Sequence, residues 1–204
     1  HSTKHLGLIL DDCLSWNIHI DSLCSQLCTA LFALRRVKLI STPEATKVAY
    51  HALFECRIRY GIILWRASSN NNLQRVMVLQ KRAIRVMAGI APRDSCREAY
   101  KDLKILTVTA LYILEVILHT HSLNLTRNNS HGRETRHGHN FNLPAHRTAL
   151  FAKKPSYAGA KLFNALPTQL KQLEESKLKR GLRCWLMEES IYTIGEFLER
   201  AIEH

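Results

Sequence analysis

The segment Leu73 to Gly89, LQRVMVLQKRAIRVMAG, limits what this chain can fold into more than any other. Its Leu73, Val76, Met77, Ala83, Ile84 and Met87 recur at 3.6-residue spacing, so they share one side of a helix that must bury against something. Arg75, Lys81, Arg82 and Arg85 share a sector of the other side, interrupted by Val78, and no acidic residue within the segment offsets them. Gln80 falls inside the apolar sector and therefore needs a buried hydrogen-bond partner. Gly89 offers an inexpensive left-handed C-cap, and Pro92 prevents early resumption of the helix.

The remaining composition narrows the partner. The 204 residues are 46% apolar and 23% charged, a globular balance, with a formal net charge of +12. That excess favours a polyanion, nucleic acid first. No membrane partner is expected, because the longest apolar stretch, Ile105 to Leu118, is short and carries Thr107, Thr109 and Glu115. The start of the chain has no secretory-signal pattern, and the six cysteines are scattered as free thiols would be, so an intracellular site is expected. A first residue of His1 rather than Met points to an upstream segment. Cys24 and Cys28 lack a second close pair, and His131, His137, His139 and His146 lack fixed co-ligands, so no metal site is expected in this chain.

Taken in order, Lys4 to Asp12 reads as a short β element with its turn at Leu6-Gly7. The adjacent Asp11 and Asp12 invite a two-metal reading, but without a carboxylate from a separate strand they fit a turn that leads into a helix. Ser15 is placed to cap that helix, whose stripe Ile20, Leu23, Leu27, Leu31 and Leu34 runs to about Leu39. His19 reads as a structural histidine. Thr42-Pro43-Glu44 starts a helix expected to reach Trp65, followed by a polar loop from Ser68 to Asn72. Beyond Pro92 come a short helix, Ser95 to Leu103, and an amphipathic one, Val108 to His121. Asn124 to Pro144 is rich in Asn, His, Arg and Gly, which suggests a flexible basic arm carrying Arg127, Arg133, Arg136 and Arg147. Ser156 to Leu166 and Lys177 to Met187 are helical; the second sets Leu178, Leu182, Trp185 and Leu186 against Lys177, Lys179, Arg180 and Arg183. The expected fold is mainly α: a short β-hairpin (1–14), a helical bundle (15–123), a basic linker (124–154) and a small helical C-terminal domain (155–204).

The run Tyr60-Gly61-Ile62-Ile63-Leu64-Trp65, followed by Gln80-Lys81-Arg82-Ala83-Ile84-Arg85, resembles the post-polymerase region of non-LTR, LINE-type retrotransposon reverse transcriptases, especially the jockey and CR1 groups. The Leu6-Gly7 turn, Leu14-Ser15-Trp16, His19-Ile20, Asn164-Ala165-Leu166-Pro167 and the closing Ile191 to Leu198 match the same pattern in the same order. The resemblance implies a primer grip at Leu6 and Gly7, a helical thumb and a basic C-terminal domain, all following the catalytic palm of one polyprotein. It implies RNA template and DNA primer or target duplex as partners, a nuclear location, and magnesium only in the palm. No catalytic residue is expected in this chain. Its expected nucleic-acid contacts are Arg75, Lys81, Arg82, Arg85, Arg133, Arg136, Lys179, Arg180 and Arg183. The Cys/Cys/His/Cys knuckle common in the family's C-terminal region is absent. The alternative is a retroelement-derived helical DNA-binding or protein-interaction module without polymerase activity.

Overall fold

A computed structural model describes residues 1–127 and 138–203. The fold is mainly α, with one two-stranded antiparallel hairpin at the N-terminus followed by helices. The chain divides into two compact units, 1–108 and 109–204.

In the first unit, β1 (Ser2–His5) pairs with β2 (Leu8–Asp11), with Thr3 opposite Leu10 and His5 opposite Leu8. Leu6 and Gly7 connect them at φ values of 45° and 82°. Two successive positive φ angles define the turn whose twist matches that of paired strands, and Gly7 adopts its share without a Cβ penalty. Helix α1 (Asn17–Ile40) buries Ile20, Leu23, Leu27, Leu31 and Leu34, the stripe legible in the sequence. Its cap position belongs to Trp16, at φ 65°, rather than to Ser15.

Thr42 starts α2 (Pro43–Tyr50) as expected, its hydroxyl accepting the Ala45 amide at 3.2 Å. The helix does not run unbroken to Trp65. It passes through a π turn (His51–Glu55) and α3 (Cys56–Arg59), then breaks at Gly61, φ 63°, ahead of α4 (Ile62–Trp65). Phe54, Ile58, Ile62 and Trp65 are all buried, so the apolar spacing persists across the break and masks it in the sequence.

The basic helix α5 (Asn70–Ala88) packs against α1. Ser69 accepts the Asn72 amide at 3.3 Å, so Asn70 to Asn72 form its first turn rather than a loop. Gly89, φ 69°, closes the other end, its N–H donating to the Arg85 carbonyl. Val76, Met77, Ala83, Ile84 and Met87 are buried; Leu73 is half-buried. The short α6 (Arg97–Asp102) packs on α5.

Gln80 finds the partners its position demands. Its Nε2 donates to Tyr50 Oη and to the Leu106 carbonyl, and its Oε1 accepts from Tyr100 Oη and the Val108 amide, each at 2.9 Å. All four hydrogen-bonding positions of the amide are filled. One buried side chain therefore joins α5 to α2, α6 and the 106–108 segment.

The second unit begins at Thr109, the second residue of α7 (Val108–Ser122). Ala110, Leu111, Ile113, Leu114, Val116 and Ile117 are buried, so α7 is covered on more than one side. The unit also contains α8 (Ala149–Ala152), α9 (Pro155–Ala165), α10 (Thr168–Lys171), α11 (Glu175–Glu189) and α12 (Ile194–Glu203). A Cβ at Gly159 would lie 2.0 Å from Thr120 Oγ1 and 2.4 Å from the Val116 carbonyl, so α9 meets α7 at a glycine. At the start of α12, Thr193 accepts the Glu196 amide at 3.1 Å while the Glu196 carboxylate accepts the Tyr192 amide at 2.9 Å.

The described residues of the expected flexible arm are packed in part. Arg127 forms an antiparallel bridge with Phe141, and its guanidinium carbon lies 5.1 and 5.5 Å from the Phe141 and Phe163 ring centroids. The Asn164 side-chain amide donates to the Phe141 carbonyl at 2.9 Å and accepts its N–H at 2.8 Å. Arg127 is thus a packed cation rather than part of a free arm, whereas Arg147 is exposed. Arg133, Arg136, His131 and His137 lie outside the described residues.

Candidate nucleic-acid interface

Two sequence motifs far apart in the chain meet at the hairpin tip. The Tyr60 hydroxyl donates to the Leu6 carbonyl, and a Cβ at Gly7 would lie 3.3 Å from Tyr60 Cε1. A Cβ at Gly61 would lie 2.7 Å from Leu8 Cδ2, so the glycine that breaks the helix also makes room for β2. Trp65 is fully buried and its indole N–H donates to the Tyr60 carbonyl at 2.9 Å. The Tyr-Gly-Ile-Ile-Leu-Trp run therefore supplies a strut at Tyr60, a notch at Gly61 and an anchor at Trp65. Supported in this way, the Leu6 side chain stands 76% exposed.

The base of the hairpin is held by Asp11. Its Oδ1 accepts the amides of Cys13 at 3.2 Å and Ser15 at 2.9 Å, and its Oδ2 accepts the Trp16 amide at 2.9 Å and the Ser15 hydroxyl at 3.2 Å. These donors, the Ser15 amide foremost, hold the Asp11 carboxyl below its usual pKa against partial desolvation. The turn role expected of this residue is the one found. Asp11, Asp12 and Cys13 bring three potential ligand atoms within 4.8 Å of one another, but both Asp11 oxygens are already committed to the start of α1. His19, packed edge-on against Trp16 at 6.0 Å, is buried, and burial lowers its pKa.

On α5, Arg75 and Arg82 are exposed and Lys81 and Arg85 half-buried. Docking the apolar side turns all four away from it, as the periodicity requires. The segment's lack of acids does not leave them all unopposed, however: Asp21 of α1 accepts from Arg75 at 2.6 Å, and Asn72 Oδ1 accepts from it at 3.4 Å. Arg85 donates to the Asp94 carbonyl at 3.0 Å. Such contacts fix where the guanidinium groups stand. The Arg75–Asp21 pair is solvent-exposed and contributes no more than about 1 kcal/mol, so an incoming phosphate can compete for the arginine.

In the second unit, Lys179 and Arg180 are exposed on α11 and Arg183 is half-buried, opposite the buried Leu178, Leu182 and Leu186. Two features lay beyond sequence reasoning: the Tyr60 strut, and Arg57, which donates to the Gln26 carbonyl at 3.1 Å and so serves the packing of α3 on α1. The only advance signal for the strut was Gly61 itself. Among the described residues no helix is long and apolar enough to cross a membrane. Comparison of the chain with family models, curated proteins and solved structures found no match.

Proposed function

We propose that this chain is the nucleic-acid-gripping C-terminal portion of an RNA-directed DNA polymerase of a non-LTR retrotransposon, without the catalytic aspartates of the palm. The observation that carries the proposal is the seating of the Leu6-Gly7 turn on Tyr60 and Gly61, because these are two of the separate motifs on which the resemblance rests. A braced hairpin tip is suited to positioning a primer end, and the outward cations of α5 are suited to phosphates of a template–primer duplex. In this reading Leu6 and Gly7 position, Arg75, Lys81, Arg82 and Arg85 contact backbone, and Lys179, Arg180 and Arg183 add attraction for the RNA. Magnesium and bond formation belong to the palm, the chain alone is inactive in synthesis, and the protein works at DNA inside the cell, in the nucleus.

Hydrogen exchange tests this reading with an RNA–DNA primer–template duplex added to the full chain. The expected result is slowed exchange at residues 5–8 and along α5. Binding that protects neither segment would contradict it.

A further inference from the structure

Within the second unit, Leu125, Thr126, Asn142, Phe151, Lys154 and Tyr157 line a cavity of about 570 Å³. That is a volume typical of small-ligand sites, which span roughly 300–1,000 Å³. The Phe151 and Tyr157 ring centroids are 5.5 Å apart at 66°. His146 braces both, stacking on Phe151 at 5.4 Å and meeting Tyr157 edge-on at 4.6 Å. Lys154 Nζ lies 5.6 Å from the Phe151 centroid, and Arg147, Lys153 and Lys154 are exposed. No acidic residue occurs from Gly138 to Leu173.

Aromatic rings give a flat apolar surface, the Lys154 ammonium in the lining favours an anion, and the Asn142 amide with the Thr126 hydroxyl can pair with a polar edge. A planar, hydrogen-bonding group attached to a phosphate meets all three conditions; an aliphatic side chain meets only the first. We propose that this groove takes one unpaired nucleobase of a single-stranded nucleic acid, stacked on Tyr157, with the adjoining phosphate at Lys154. The inference rests on the nucleic-acid reading above but concerns a different unit and a different form of the ligand.

The experiment uses the full chain and a nine-unit strand of abasic sugar-phosphates carrying one central 2-aminopurine, against the same strand abasic throughout. Base–aromatic stacking predicts roughly five- to a hundredfold tighter binding of the base-containing strand, together with quenching of its fluorescence. Tyr157→Ala should remove that preference and Tyr157→Phe should retain it. Lys154→Gln should weaken both strands alike. Equal binding of the two strands by the wild type without quenching would overturn the inference and leave the groove to an apolar peptide. So would a preference unchanged in a Tyr157→Ala variant of native helix content. If the groove fails in this way while duplex binding still depends on the α5 cations, only this inference falls; if duplex binding is absent as well, the nucleic-acid reading falls with it.

Discussion

Gln80 shows how one residue can be demanded by the fold rather than by the ligand. Its replacement by Leu fits the apolar sector but strands the Tyr50 and Tyr100 hydroxyls, the Leu106 carbonyl and the Val108 amide. Each buried polar group left unpaired costs about 1–3 kcal/mol. Gln80→Leu should therefore lose at least about 3 kcal/mol in urea unfolding, summed over those groups; a loss below about 1 kcal/mol would show that the partners re-pair. Asp11 is informative in another way, through pH. Its folded pKa is depressed, so its contribution is fully present above the unfolded value, about 3.9, and is lost as pH falls through the folded value. Stability compared between wild type and Asp11→Asn should differ at pH 6 and converge in the acid limb below about pH 4. A difference that persists unchanged to pH 2 would remove Asp11 from the junction.

At the scale of elements, the break at Gly61 is the feature on which the hairpin depends. Gly61→Ala meets a left-handed backbone, at about 1–2 kcal/mol, and crowds Leu8 Cδ2, a contact that this flexible side chain relieves by shifting. The expected outcome is faster amide exchange across β1 and β2, with α1 and α5 unaffected; Tyr60→Phe should give a milder version by removing only the hydroxyl that reaches Leu6. Uniform loosening of all helices would contradict this division. The sequence was most legible where one amphipathic period decided the outcome: α1, the buried side of α5 and the α11 stripe follow from local spacing alone. It was least legible where distant residues decide. Phe54, Ile58, Ile62 and Trp65 keep helical spacing through a π turn and a break, so periodicity could not reveal either. Asp21 reaches Arg75 across 54 positions, and Arg127 packs on rings from 141 and 163, contacts that no local pattern announces. The hairpin turn was legible as Leu6-Gly7, but its support by Tyr60 was not.

At the scale of the molecule, a net charge of +12 is carried on a chain with two compact units. Each exposes cations opposite an apolar face, on α5 and on α11, so charge is segregated by the same burial that forms the cores. Whether that charge grips phosphate or is only solvated is the central question, and salt dependence separates the two. The deciding measurement is a salt titration of binding to a primer–template duplex by the wild type and by Arg75→Gln, Lys81→Gln, Arg82→Gln, Arg85→Gln combined, with circular dichroism to establish that helix content is kept. The expected result is a slope of log affinity against log salt that flattens by roughly 0.9 for each phosphate contact removed on B-form DNA, about 3 if all four make one, and weakens unrelated sequences equally. An unchanged slope in a folded variant would contradict it and return the α5 face to ordinary solvated charge.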